Sequence, residues 1–573
     1  MVGKSPDGTF ENKFMKELLN KSAVWLCVLL PPVVFFAMFF TYTVNIPVND
    51  DYKAVLNFIN ELINVDSIKD KIMLIFSQHN EHRIVYDRLW IIISYKLSEQ
   101  VNFNFLALIG NLSLIGIFGI FYRKIREINV NIFYLFPISV LIFNISFWEN
   151  MTFAMAAMSN LTIFLFSLLS IYFLTKNDLS KKHFFFCCMF FVMAIGTQGG
   201  GLMLIPLIIA VLVYKKQMKF LYVFLALTAI ILSLYFYDYQ KPDEAVPIME
   251  TLKNFKMRSI LFAFALLGNA FNYYLIFTND IDESIGITSI IGFVFFIVYL
   301  YSLKKEYYKK NLFAFSVMTL IIITAFVTGI SRSHMGLSTA GASRYRITGV
   351  VFAIGLYFWF LDNYKDAKRF KMYVGIISIL YFTICGINQY EYLSYRKYKS
   401  LLGALKYQSG DYSALNGFEQ EYYNKVLINS VKNKTYFLPS DKILTAEFPF
   451  SEIQTNINGN IVSSQITHSI DSVIKIKDSF IIEGYAFDEK ETNGQVISLG
   501  LQSEDGDIIY FSTKSIPRFD LNPYFHKINL RDSGFFARLN LINLKKGNYK
   551  IIVRLTKNNQ IRLVETEKFL NYQ

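Results

Sequence analysis

Long apolar runs recur through the first two thirds of this chain and constrain its fold more than any other feature. A bilayer's hydrocarbon core is about 30 Å thick, so a helix needs about 20 apolar residues to cross it. Runs near that length lie at 22–43, 103–122, 130–147, 153–175, 220–237, 287–303, 311–330, 347–361 and 372–388, with shorter ones at 184–198 and 201–214. Lipid offers no partner to a bare peptide group, so these runs are expected to be helices. With 53% hydrophobic and only 18% charged residues, the composition does not fit an ordinary soluble domain. The expected fold class is an α-helical polytopic membrane protein of about eleven spans.

Charge predicts the orientation. The net charge of +13 sits largely in short loops between apolar runs. It therefore points to cytoplasmic Lys and Arg rather than to a nucleic-acid partner. Arg123-Lys124-Ile125-Arg126, Lys181-Lys182, Lys215-Lys216 with Lys219, Lys304-Lys305 with Lys309-Lys310, and Lys365 with Lys368-Arg369 are all expected inside. Residues 259–278 are apolar enough to span, but a full crossing would put the later basic clusters outside. Gly268-Asn269 and Asn272 interrupt that run. It is therefore expected to be re-entrant or to lie along the outer surface. The N-terminus is then cytoplasmic and the C-terminus outside. No small-residue cleavage site ends the first run, so it is expected to remain as a span.

On this topology the unusual polar groups share the outer face. The first outer loop, 44–102, carries Asn49-Asp50-Asp51 and then Gln78-His79-Asn80-Glu81-His82-Arg83, which holds two of the six histidines. Trp148-Glu149-Asn150, Thr197-Gln198-Gly199-Gly200-Gly201 and the stretch Ser331 to Arg346 fall on the same side. Polar and ionisable groups gathered at one membrane surface mark a site.

The residue types suggest a chemistry. A carboxylate at the mouth of a membrane cavity can take the proton of an acceptor hydroxyl, which is a poor nucleophile until it is deprotonated. Asp51 and Asp50 are the candidate bases, and Glu149 is a candidate partner. The competing account makes one Asp the N-cap of a helix over 52–63. Asp51, Glu149 and His79 could together hold a divalent cation, Mg2+ or Mn2+, through hard oxygen ligands; no motif demands a cofactor. Arg83, Arg332, Arg344 and Arg346, with Tyr345 among them, are placed to meet a phosphate. Anchoring of lipid headgroups is the competing account of these arginines. Gln78, His79, Asn80, Glu81 and His82 are candidate substrate contacts. The three glycines after Gln198 suit a tight hairpin; they lack the strand, the Lys and the spacing of a phosphate loop. The four cysteines all lie within apolar runs and show no metal spacing.

The pattern changes after residue 390. Residues 391–460 are expected to form surface helices and linker. From 461 to 573 the apolar residues alternate with period two, as in Val473-Ile474-Lys475-Ile476 and Tyr549-Lys550-Ile551-Ile552-Val553. Glu504-Asp505-Gly506-Asp507 and Lys557-Asn558-Asn559 punctuate them as turns. A small antiparallel β-sandwich is expected there, with no catalytic content.

One span, acidic residues in a long outer loop, amphipathic helices, many further spans and a periplasmic C-terminal domain together resemble the GT-C membrane glycosyltransferases. Asn49-Asp50-Asp51, Gln78 to Arg83, Trp148-Glu149-Asn150 and Ser343-Arg344-Tyr345 are similar to motifs of bacterial members that modify O-antigen and other surface glycans. The resemblance covers roughly residues 20–390, read as a transmembrane catalytic domain over 1–390. It implies an inverting transfer from a polyprenyl-phosphate (undecaprenyl-phosphate) sugar to a lipid-linked or polymeric glycan, with a first-loop Asp as base. It implies the bacterial inner membrane, with membrane lipids as the surroundings, and a sandwich that is an accessory, glycan-binding module. The rival readings are an O-antigen polymerase or ligase with a diphosphate-linked donor, and a lipid-linked sugar flippase. A flippase would place its charges in broken helices near mid-bilayer.

Overall fold

The computed structural model describes residues 7–572 except 243–245, 255, 273–280, 366–368, 409, 411–414, 416–419, 456–459, 462–464, 477–478, 491–493, 519, 526 and 528. The fold is mostly helical, with a β-sheet region at the C-terminal end. Among the described residues nine helices are long and apolar enough to cross a membrane: Ser22–Tyr42, Phe103–Glu127, Ile132–Thr152, Ala154–Leu174, Met218–Tyr235, Ser284–Lys304, Leu312–Met335, Ser343–Tyr364 and Phe370–Gln408. This is the architecture of a multi-pass membrane protein. The expected eleven shrink because two runs are short. Lys181–Thr197 opens on two lysines, and Gly199–Tyr214 begins directly after it. Gly201 makes that hairpin possible: a Cβ there would lie 2.6 Å from the Ala194 carbonyl carbon.

The run at 259–278 is not a surface helix. Lys256–Gly268 is a helix followed by a 3-10 turn, Asn269–Phe271, and 273–280 lie outside the described residues. Ser259, Phe262, Ala263, Ala265, Leu266 and Leu267 are buried. Small residues let its backbone touch the neighbouring helix. A Cβ on Gly292 would stand 1.8 Å from the Phe264 carbonyl oxygen, and one on Gly268 2.1 Å from that of Thr288. Thirteen residues rise only about 20 Å, short of the hydrocarbon thickness.

The chain forms two compact units. One is Met1–Leu393 with Gly417–Phe437; the other is Ser394–Asn416 with Leu438–Gln573. The stretch expected as linker is thus divided between them. Its first part continues the helix Phe370–Gln408, and Gln420–Lys432 packs within the membrane unit. There Tyr423 stacks on Tyr52 at 4.8 Å, Asn60 Nδ2 donates to Ser430 Oγ (2.8 Å), and Tyr436 Oη donates to Asn45 O (2.8 Å). These contacts hold the first loop from above the start of its helix.

The second unit is a β-sandwich. One sheet has the order β1-β6-β5-β9-β10-β2 and the other β3-β4-β8-β7. The strands are β1 Ile453–Gln454, β2 Asn460–Ile461, β3 Ile466–Ile476, β4 Ser479–Asp488, β5 Val496–Gln502, β6 Ile508–Ser512, β7 Lys514–Ile516, β8 Gly534–Asn540, β9 Gly547–Lys557 and β10 Gln560–Tyr572. All pairings are antiparallel except β10 with β2. Phe480, Ile482, Phe535 and Leu539 from one sheet meet Leu499, Leu501, Val553 and Leu555 from the other in one core. The β9–β10 turn has Asn558 and Asn559 both at positive φ (49° and 61°), the geometry of a type I′ hairpin.

Candidate functional site

The first loop sets the site. Asn49 adopts a left-handed conformation (φ 46°), and the turn it makes separates the two aspartates. Asp51 turns inward and is 1% exposed. Its Oδ2 accepts from Val48 N–H (3.0 Å), and its Oδ1 from Met155 N–H (3.0 Å). Asp51 thus ties the first loop to the helix beginning at Ala154. It makes no side-chain cap on the turn Tyr52–Asn57 that follows, so the expected N-cap is absent. Asp50 takes the opposite side and stays exposed.

Asp50 faces a ring of charge. Burial of its surroundings pushes its pKa above the ordinary Asp value; Glu81 adds to this, while Arg344, Arg332 and Lys53 oppose it. Two ion pairs flank it. Arg332 Nη2 donates to Glu81 Oε1, and Arg344 Nη1 lies 3.7 Å from Glu149 Oε1. The two arginine side chains keep 30% and 31% of their surface open. Residues from four separated stretches, near 50, 81, 149 and 332–344, therefore meet as the sequence predicts.

Glu149 does more than pair. Its Oε2 accepts from the Arg344 backbone N–H (2.8 Å), while Asn150 Nδ2 donates to the Arg344 carbonyl (3.1 Å). Ser343 Oγ accepts from Glu149 N–H (3.3 Å) and donates to Ser146 O (2.7 Å). Asn160 and Asn111 extend the chain of amides behind Asn150. Arg344 is thus held at both backbone groups, and its guanidinium sits 5.4 Å from the Tyr345 ring centroid, a cation–π contact.

The Gln78–Arg83 cluster splits into supports and site. His79 and His82 bond each other's backbones (2.8 and 2.9 Å), with Asn80 at φ 47° in the turn between them. Burial, aided by Arg88 and Lys53, pulls the His79 pKa down to about 3, so its imidazole is neutral. Burial also lowers that of His82, against the opposing pull of Glu81. Burial pushes Glu81 up, but Arg332 and His82 more than reverse it, so Glu81 is an anion. Gln78 bonds both ways with the backbone of Gln240, and Asn80 Oδ1 accepts from Lys53 Nζ (3.4 Å). Of the six, Glu81 is the one paired to an arginine of the ring.

Arg83 is not open to a phosphate. Nε donates to Tyr235 O (2.6 Å), Nη1 to Phe76 O (2.5 Å) and Nη2 to Tyr237 O. Arg88 does similar work: its Nη1 reaches the carbonyls of Leu74, Ile75 and Ser77, which end the helix Ile68–Phe76. Asp87 beside it is wholly buried, and its carboxylate oxygens meet no hydrogen-bond donor among the described residues. Arg346 is 5% exposed and donates Nη2 to Asn272 O (3.0 Å), so it braces the interior. Sequence gave no signal for these burials, since an exposed and a buried Arg look alike in a polar loop.

Among the described residues no three of His, Cys, Asp and Glu are arranged to hold a metal ion, and Asp51, Glu149 and His79 are no exception. The lone pairs of Asp51 that would face a cation are turned to backbone N–H groups instead. No protein-family model matches the chain, and a search of curated proteins finds no match.

Proposed function

We propose that this chain is a GT-C-like membrane glycosyltransferase with Asp50 as its general base. One observation carries the reading: an exposed carboxylate stands between two partly open arginines, at the meeting point of four polar loops. In the proposed step Asp50 takes the proton of an acceptor hydroxyl. The freed oxygen attacks the anomeric carbon from one face, and the carbon–oxygen bond to the lipid phosphate breaks on the other. The configuration inverts, and the phosphate leaves as an anion. Arg344 and Arg332 receive the developing charge. A base with a raised pKa is a stronger proton acceptor, which suits Asp50.

The donor is a polyprenyl-phosphate sugar, and the acceptor is a glycan hydroxyl at the periplasmic face of a bacterial inner membrane. Glu81 and Glu149 hold the arginines until the donor phosphate competes for them. The transferase reading predicts a sugar residue on surface glycans, seen by mass spectrometry, that disappears when the protein is removed and returns with the wild-type chain. Identical glycan masses with and without the protein would sink it. Accumulation of an unextended lipid-linked repeat would favour the polymerase instead.

A further inference from the structure

A cleft of about 380 Å³ opens in the β-sandwich unit, away from every residue discussed above. Ala486 and Ile497 line its apolar part; Gln495, Ser515, Asn529, Arg531, Asp532 and Ser533 supply polar groups. Ala486 belongs to β4 of one sheet and Ile497 to β5 of the other, so the cleft lies where the two sheets part. Its size falls within the range of about 300–1,000 Å³ typical of ligand sites.

The wall is preformed. Gln495 Oε1 accepts from Asp488 N–H (3.2 Å), Arg518 N–H donates to Arg531 O (2.7 Å), and Ser515 Oγ donates to Asp532 O (3.4 Å). These bonds fix the strand ends and the loop before β8 without consuming the Asn529 or Asp532 side chains, both of which belong to exposed residues.

The lining selects the ligand. A small-molecule pocket is mostly apolar; this one is mostly polar, so an apolar ligand would strip water from amides and hydroxyls without replacing their bonds. The carboxylate of Asp532 disfavours an anion, and no group of three metal-ligating residues is present among the described residues. The cleft is at the end of the sandwich, not along an edge strand, so it offers no ladder for an added peptide strand. A neutral polyol satisfies it: carboxylate and amide oxygens accept from hydroxyls, amide and hydroxyl groups donate to them, and Ala486 with Ile497 meet the C–H face of a ring. We infer that this cleft binds a neutral saccharide unit of a glycan. The inference stands apart from transfer at Asp50.

The test uses the full chain in detergent, fluorescently labelled, on an array of neutral hexose- and N-acetylhexosamine-containing oligosaccharides. Wild type should bind a subset. Asn529→Ala and Asp532→Asn should each weaken binding about tenfold, the effect of one lost hydrogen bond to ligand, with unchanged melting temperature. Asp50→Asn should bind as wild type does. Three results overturn the inference: no binding to any arrayed saccharide, full binding by the Asn529→Ala/Asp532→Asn double variant, or loss of binding in Asp50→Asn, which would place the saccharide in the membrane unit.

Discussion

Two adjacent aspartates have opposite duties. Asp51 answers two backbone N–H groups; Asp50 answers solvent and two arginines. Removing Asp51 leaves those N–H groups without their acceptor, a cost of about 1–3 kcal/mol for each that is buried. Asp51→Ala should therefore lower the melting temperature in detergent clearly, and Asp50→Ala should not; equal melting curves would refute the bracing role. Asp50 also makes a pH prediction. Only its deprotonated form is a base, so transfer must rise with pH through its folded-state pKa. That pKa is raised, so the acid limb of kcat/KM lies above the ordinary Asp range. Arg344 lowers the pKa, so Arg344→Gln should move the limb to higher pH while reducing the rate. Glu81 raises it, so Glu81→Gln should move the limb to lower pH. A limb that ignores both substitutions would mean that another group titrates.

At the scale of elements, the helices and strands were legible where one period persists long enough. Apolar length located the nine long helices, and alternation located β3 to β6 and β9. The Asn558-Asn559 turn followed from the tolerance of Asn for positive φ. Other features were hidden for identifiable reasons. The helix Phe370–Gln408 outruns its apolar run because its second half is amphipathic with many Tyr and Lys, which resembles loop composition. The helix Lys256–Gly268 looked like a surface segment because glycine and asparagine interrupt its run; they permit backbone contact instead. The site was legible as a set of loops but not as a set of roles, since a turn at Asn49 decides which Asp faces out. Arg83 illustrates this. Its three donors join the helix Ile68–Phe76 to the end of Met218–Tyr235. Arg83→Ala should speed hydrogen exchange in 68–77 and 235–240 and leave donor KM within about threefold among molecules that stay folded. A large KM rise with unchanged exchange would return Arg83 to the phosphate.

For the molecule as a whole, the membrane unit supplies both the lipid setting and a charged centre built from four distant stretches of chain. The sandwich unit supplies a separate polar cleft. The central claim is that chemistry happens at Asp50. Its sharpest measurement compares single-turnover sugar transfer by purified Asp50→Asn and Asp51→Asn. Asn keeps the size and one acceptor oxygen but not the basic lone pair. Losing general-base help costs about 10²–10⁴-fold, so Asp50→Asn should fall by that factor. Asp51→Asn, which still offers one oxygen to the backbone, should keep turnover within about tenfold of wild type if it folds. Near-normal transfer by Asp50→Asn, with the large loss at Asp51→Asn, would contradict the account.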